Sequence, residues 1–325
     1  MNNQMTKRQH YVPQFYLNNF INENQKLNVY DRKKKCFFEA SPKEICFENY
    51  LHETLWEDAN PRLGKYILPN QIEKSLSVQE STYSAILKKV IGICKDPKNK
   101  HALICNLEDK QLLAKFVTNM IVRNPWVLNQ VDEDCFSDGI MDNIEIQAID
   151  QMLYGMQFGG TKSLVRAANK MVWLDDKFIP GQICEDLRCL NFCFLIALDN
   201  NFVTSSFPVL YETYDLEKHT YLDNIYIPLH PQIALLYSRA DKFKPFRNKE
   251  ASLTSDMVQL MNSAYFKCKD EQARFIIANS KEILEKLVNR HISHSLSPPF
   301  FPVGGYYNKR PCSIKRHKHL SNTSY

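Results

Sequence analysis

Apolar and polar positions follow two different rhythms along the chain, and the rhythm changes near its middle. Apolar side chains first recur at three- and four-residue spacing, at Ile72, Leu76, Tyr83, Ile86, Leu87 and Val90. This spacing lines one face of a helix. From residue 190 onward, apolar residues come in short runs bounded by turn residues, which is typical of buried strands. The pattern therefore predicts a helical middle followed by a half that forms a sheet.

Capping residues and proline mark where the predicted helices begin and end. Asn106 precedes two acidic residues and predicts the start of a second helix, because its side chain can accept hydrogen bonds from the first turn. Pro125 predicts that this helix ends near Arg123. Thr161 and Ser252 are the predicted caps of later helices. Further helices are predicted over residues 143–154, 161–173, 253–266 and 281–290.

Strand patterns occur on both sides of the helical middle. Residues 27–30 and 36–39 flank a charged turn and predict a β-hairpin, and residues 190–198 and 202–204 predict a second one around Asp199. Single strands are predicted at residues 225–227, 233–237 and 275–278. Because helices and strands are grouped rather than alternating, the predicted fold class is α+β. We expect a helical N-terminal and middle part and a mainly antiparallel sheet in the C-terminal half.

Length and composition limit the domain organisation. The chain has 325 residues, of which 44% are apolar, and this is enough to bury a sizeable core. The prediction is one large domain over residues 1–300 with a soft boundary near 178–181, and two tightly joined domains remain the alternative. Residues 301–325 are predicted to be a basic, disordered tail.

Charge indicates a class of partner. The chain carries 41 basic and 36 acidic residues, a formal net charge of +5, and part of the excess lies in the C-terminal tail. Basic residues neutralise phosphates, so RNA or another polyanion is the partner that this distribution suggests. A solvated tail without a specific partner explains the same charges.

Cysteines and hydropathy indicate the compartment. The ten cysteines show no pairing rhythm, the first residues are polar, and no run of about 18 apolar residues occurs. We therefore expect reduced thiols, a cytoplasmic location and no membrane contact. Cys184, Cys189 and Cys193 form the one dense group, but it lacks the Cys-x2-Cys spacing of zinc sites. No phosphate-binding loop or dinucleotide fingerprint is present, and no metal or cofactor is expected.

Several segments resemble one known family. The stretch at residues 7–20, which contains His10-Tyr11-Val12-Pro13, resembles the N-terminal signature of the bacterial family known as domain of unknown function 4238. Residues 73–80, 122–125, 202–209 and 227–231 resemble later family segments in the same order. The resemblance implies a cytoplasmic bacterial protein and no settled activity. This chain has Ser206 where the family pattern usually has Asp, which weakens any mechanism that needs a carboxylate there.

Four polar residues in these segments are the candidate catalytic groups. His10 lies on an extended approach to Pro13, and its imidazole titrates near neutral pH. Glu73 and Glu80 are seven residues apart and share a helix face. Arg123 ends the second helix, where it can pair with a carboxylate or bind a phosphate. Together they supply the base, acid and cation that a metal-free cleavage of a phosphodiester needs.

A second group of polar residues is predicted to bind a ligand. These residues lie beside His10 or at strand ends, and they are Tyr11, Thr204, Ser205, Ser206 and His230. The function favoured on these grounds is a metal-independent phosphodiesterase or RNase that acts as a toxin or in phage defence. The alternative is a non-catalytic module that binds or senses an anion or nucleotide, so enzyme status stays open. An open cleft containing His10 and Arg123 would favour the enzyme, and burial of both would favour a scaffold.

Overall fold

The fold is that of a computed structural model, which describes residues 5–56, 64–96, 98, 104–129, 144–155, 161–174, 187, 189–216 and 219–293. The predicted boundary near 178–181, the predicted tail at 301–325 and Cys184 lie outside these residues. All structural statements below concern the described part of the chain.

Helices make up the middle of the chain, as the apolar spacing predicts. Their bounds are α1 Gln14–Leu17, α2 Gln71–Lys95, α3 Leu107–Val122, α4 Ile144–Gly155, α5 Thr161–Leu174, α6 Ser255–Ser263 and α7 Lys281–Ser293. The predicted stripe of α2 is buried from Leu76 to Val90, and Ile72 packs at its margin. No helix among the described residues is long and apolar enough to cross a bilayer.

The strands form sheets on both sides of this helical part. Their bounds are β1 Arg8–His10, β2 Leu27–Asp31, β3 Cys36–Ala40, β4 Phe47–Asn49, β5 Thr54–Leu55, β6 Tyr66–Ile67, β7 Asn191–Ala197, β8 Thr204–Ser205, β9 Leu210–Leu216, β10 His219–His230, β11 Ile233–Ser238, β12 Glu250–Leu253 and β13 Phe275–Ala278. A five-stranded sheet has the order β12-β7-β11-β10-β9, and a four-stranded sheet has the order β3-β2-β13-β8. Strands β1 and β4 form one small pair, and β5 and β6 form another.

The fold class is α+β, and most strand pairs are antiparallel, as predicted. The exception among the described pairs is β12, which runs parallel to β7. The predicted first hairpin is present as β2 and β3, in which Leu27 pairs with Ala40 and Asp31 with Cys36. The four-stranded sheet joins this N-terminal hairpin to the late strand β13. The sheet structure is therefore not confined to the C-terminal half.

The start and end of α3 follow from its own sequence. The Asn106 side chain accepts the main-chain N–H of Asp109, and the Asp109 carboxylate accepts the main-chain N–H of Asn106, which closes a capping box. The helix ends at Val122, immediately before Arg123, and Pro125 follows two residues later. This brings Arg123 to a fixed position at the end of a buried helix.

Two local predictions are wrong. Residues 202–204 do not return along β7, because β8 pairs with β13 in the other sheet and β7 is flanked by β11 and β12. Ser252 does not cap a helix, because it lies in β12, and Thr254 occupies the N-cap position of α6. In both cases a short segment pairs with a strand that is distant in sequence, and this long-range pairing decided the local structure.

Candidate functional site

Arg123 ties the opening motif to two helices. Its Nη1 donates to Glu80 Oε1 at 2.9 Å, and its Nη2 donates to the main-chain oxygen of His10 at 2.5 Å. Nη1 also lies 3.5 Å from Asn119 Oδ1. His10, Glu80 and Arg123 therefore meet, as predicted for three of the four candidate catalytic residues.

The position of Arg123 suits a brace. Its side chain is only 2% exposed, whereas its partner Glu80 is 30% exposed. A buried guanidinium needs such partners, because an unpaired charge inside a protein is strongly destabilising. Two of its three nitrogens already bond to protein oxygens. Little of the hydrogen-bonding capacity of the guanidinium is therefore left for a phosphate.

His10 contributes its main chain, not its ring, to the Arg123 contacts. The ring packs against Phe47 at a centroid distance of 5.5 Å, and its Nδ1 lies 3.4 Å from Gln14 Nε2. Burial is the main cause that lowers the pKa of His10, and the nearby Arg123 lowers it further. The imidazole is therefore neutral near pH 7.

Glu73, the fourth candidate catalytic residue, pairs with a histidine that the sequence did not single out. His52 Nδ1 lies 2.6 Å from Glu73 Oε1, although the two residues are 21 positions apart. The His52 side chain is completely buried, and Glu73 is 22% exposed. His52 lies between β4 and β5 in a segment without helical or strand periodicity, so no sequence signal marked its contact with α2.

The contact with Glu73 fixes the tautomer of His52. A carboxylate accepts hydrogen bonds, so Nδ1 carries the proton and donates it, and Nε2 of the neutral ring is left as an acceptor. Nε2 is buried and has no hydrogen-bond partner among the described residues. Burial lowers the pKa of His52 more than Glu73 raises it. The ring is thus a neutral base with a free lone pair at physiological pH.

The segment around His52 is held by several independent contacts. The main-chain N–H of His52 donates to Gln9 Oε1 at 2.7 Å, and Gln9 Nε2 donates to Glu53 Oε1 at 2.8 Å. The main-chain N–H of Asn70 donates to the same Glu53 oxygen at 3.2 Å. Lys170 Nζ, from α5, lies 3.3 Å from the main-chain oxygens of Leu51 and Glu53. These contacts hold the main chain at Leu51, His52 and Glu53.

A small cavity lies beside His52. Its volume is about 10 Å³, close to the smallest space that holds one water molecule. His52, Glu53, Thr54 and Gln71 line it together with apolar side chains from β6, α2 and α5. Thr54 Oγ1 is a second buried polar atom there without a hydrogen-bond partner among the described residues.

The predicted binding hydroxyls lie elsewhere and bond within the protein. Thr204 Oγ1 is 2.7 Å from the Tyr16 hydroxyl, and Ser205 Oγ donates to the main-chain oxygen of Phe207 at 2.7 Å. Ser206 Oγ accepts the main-chain N–H of Phe275 at 3.1 Å. All three residues are buried at the β8 end of the four-stranded sheet. Their ligand-binding role remains a prediction, and their contacts are those of a scaffold.

Tyr11 and His230, the other two predicted binding residues, do not line the cavity either. Burial raises the pKa of Tyr11, and Cys46 is the next cause. His230 Nδ1 accepts the main-chain N–H of Gln232 at 3.1 Å. Burial, followed by the charge of Lys95, lowers the pKa of His230 to about 4. Lys95 ends α2, whereas Glu73 lies in its first turn, about 33 Å away at 1.5 Å per residue.

The described residues include no group of three His, Cys, Asp or Glu side chains placed to hold one metal ion. Cys189 is exposed and Cys193 is buried, and both are free thiols. Burial raises the pKa of Cys193 to about 12, so it is an unreactive thiol near neutral pH.

Comparison with known proteins gives a single result. Neither the curated proteins nor the solved structures include a match to this sequence. One family model does match, and it spans residues 8–282, which include His10, His52, Glu73 and Arg123. This range covers most of the chain, so the chain belongs to the family described as "Protein of unknown function (DUF4238)".

Proposed function

We propose that the protein is a metal-independent hydrolase in which His52 is the general base and Glu73 orients it. The observation that carries this proposal is the difference in hydrogen bonding between the two ring nitrogens of His52. Nδ1 is bound to Glu73 at 2.6 Å, and the buried Nε2 is free. A base held by a carboxylate with its other nitrogen facing a reacting group is the arrangement used in many hydrolases.

The proposed substrate is a phosphodiester, with RNA as the first to test. RNA carries its own nucleophile, so a base alone starts the cleavage. His52 Nε2 takes the proton of the 2′-hydroxyl, O2′ attacks phosphorus, and the bond to O5′ breaks, which leaves a 2′,3′-cyclic phosphate. Water protonates O5′, and the hydroxide that forms takes the proton from His52 and restores the neutral base. The net charge of +5 supports a polyanionic substrate. Lys170 adds a cation close enough to lower the pKa of His52.

This proposal redistributes the roles of the four candidate catalytic residues. Glu73 keeps a catalytic role as the group that fixes the His52 tautomer. Arg123 and Glu80 become a brace that holds the His10 main chain against α2 and α3, because the guanidinium is enclosed by protein oxygens. The brace fixes β1, and Gln9 in β1 bonds to the main chain of His52.

The test compares four purified proteins on one labelled single-stranded RNA and its 2′-deoxy counterpart, with a chelator present. Wild type should cleave the RNA and leave the DNA intact. His52→Gln should lower the rate by about 10²–10⁴-fold, and Glu73→Gln by at least about tenfold. His230→Gln is the matched control, because His230 is a half-buried histidine that also has a lowered pKa and is remote from Glu73. Intact RNA with wild type, or equal loss in the control, would refute the proposal.

The pH dependence gives an independent readout. Since the pKa of His52 is lowered from 6.5, its base form dominates near neutral pH. The value of kcat/KM should therefore be flat around pH 7 and fall as the pH drops below that of an ordinary histidine. A rate that rises on acidification would contradict a general-base role for His52.

A second candidate function is the non-catalytic binding or sensing of an anion or nucleotide. The burial of Arg123 favours it, because an enclosed guanidinium braces the fold and leaves less polar machinery for catalysis. Fluorescence anisotropy with the same RNA and with nucleotides separates the two functions. Binding without cleavage by wild type supports this second candidate.

The proposed biological setting is the bacterial cytoplasm, with a role as a toxin or in phage defence. Expression in a bacterial host tests it through growth and total RNA integrity. Wild type should slow growth and degrade RNA, and His52→Gln at the same protein level should do neither. Normal growth with intact RNA in both strains would remove the toxin proposal.

A further inference from the structure

We infer that His52 and Thr54 form a binding site for one uncharged hydroxyl oxygen, from water or from a ligand alcohol. This inference deepens the proposed function and rests on it for the catalytic use of the site. Its structural basis is independent, because it follows from two buried polar atoms and the cavity that their residues share.

The two residues reach the cavity from nearby positions in the chain. His52 lies in the turn that precedes β5, and Thr54 is the first residue of β5. Both residues are nine-tenths or more buried, and both line the cavity. The same hydroxyl group can therefore reach both of them.

Their hydrogen-bonding capacities are complementary to a hydroxyl group. His52 Nε2 is an acceptor, because Nδ1 donates to Glu73. Thr54 Oγ1 can donate its own proton. A bound O–H group would donate to Nε2 and accept from Oγ1. This satisfies two buried polar atoms that otherwise destabilise the fold.

Size and lining favour a small uncharged group as the occupant of the cavity itself. About 10 Å³ is close to the smallest space that holds one water-sized group. Glu53 lines the cavity and Glu73 contacts His52, while the cations Arg123 and Lys170 lie close enough to lower the pKa of His52, so charges of both signs are near the site. The remaining lining is mostly apolar. An uncharged hydroxyl fits these walls, and in a hydrolase it is the group from which His52 removes a proton.

The test is a set of crystal structures at a resolution that shows waters, of wild type, Thr54→Val and Thr54→Ser. Wild type should show one oxygen within hydrogen-bonding distance of both His52 Nε2 and Thr54 Oγ1. Thr54→Ser should keep it, and Thr54→Val, which has the same shape without the hydroxyl, should lose it. The inference is overturned if wild type shows no oxygen there or if Thr54→Val retains it unchanged.

Two further arms complete the experiment. Nitrogen NMR of labelled histidine in wild type should show His52 Nε2 as an unprotonated, hydrogen-bonded acceptor, and this measurement does not depend on a variant that folds. A methanol soak separates the two sources: unchanged density assigns the oxygen to water, and density extended by one carbon assigns it to a ligand alcohol. If the oxygen is present but RNA stays intact, the proposed function fails and the site stands. If the oxygen is absent, the site fails whatever the activity.

Discussion

Two buried polar regions of this protein differ in how fully their side chains are satisfied. At the β8 end of the four-stranded sheet, Tyr16 OH donates to the main-chain oxygen of Pro228 at 2.6 Å and contacts Thr204, and Ser205 closes its own turn. Beside the cavity, His52 Nε2 and Thr54 Oγ1 have no such partners.

The difference separates scaffold from candidate function. Buried polar groups that are fully bonded hold elements together and need no ligand to explain them. Some buried polar side chains are held by a hydrogen bond at one atom while another polar atom has no partner. Such a side chain destabilises the fold, and function is expected at such sites. By this criterion the strand-end hydroxyls belong to the scaffold and His52 belongs to the site. Arg123 Nε and His10 Nε2 are also buried without a partner among the described residues, but neither of these residues lines the cavity.

The largest effect is expected from Arg123→Met. The substitution removes the buried guanidinium from Glu80 and from the His10 main chain, so urea unfolding should show a loss of about 3 kcal/mol. Lys281→Met, which removes an exposed pair with Glu285, should leave the midpoint unchanged. A loss below about 1 kcal/mol for Arg123→Met would show that it is not a brace.

Tyr16→Phe tests the satisfied region directly. The lost hydroxyl leaves Thr204 Oγ1 and the Pro228 oxygen without this partner in a fully buried setting. The free energy of unfolding should fall by about 1–2 kcal/mol. Tyr50→Phe, at a partly exposed tyrosine, is the matched control and should cost less. Equal losses in the two variants would break the distinction between the regions.

His52→Gln is expected to change stability by less than about 1 kcal/mol. Nε2 has no partner among the described residues to lose, and the glutamine amide can donate to Glu73 in place of Nδ1–H. The same urea titration measures this change beside that of Tyr16→Phe. A loss larger than that of Tyr16→Phe would make His52 part of the scaffold and remove the main argument for the site.

His230→Gln should have the smallest effect, visible only in acid. The pKa of His230 is about 4 in the folded state against 6.5 for an ordinary histidine, so the unfolded chain binds the extra proton between these values. Its contribution to stability is present above pH 6.5 and is lost as the pH falls towards 4. The wild-type melting temperature should therefore fall more steeply over this interval than that of His230→Gln. Parallel curves of melting temperature against pH for the two proteins would contradict this role of His230.

Prediction from sequence succeeded where the determining interactions are local. The capping box of α3 involves Asn106 and Asp109, three residues apart, and the apolar stripe of α2 repeats within single turns. The β2–β3 hairpin is joined by a short charged turn. It failed for β8 and β12, whose partners β13 and β7 lie far along the chain. Segments this short fit several partners, and only packing selects one.

The candidate site divides along the same line. The sequence by itself determined that α2 carries Glu73 and Glu80 on one face and that Arg123 follows the end of α3. Only the tertiary structure decided that Arg123 is buried against the His10 main chain and that His52 is the partner of Glu73. The reason is that the charge state of a side chain, and which of its hydrogen-bonding atoms stay unpaired, depend on the groups from other elements that enclose it. The packing of the whole fold sets which groups these are.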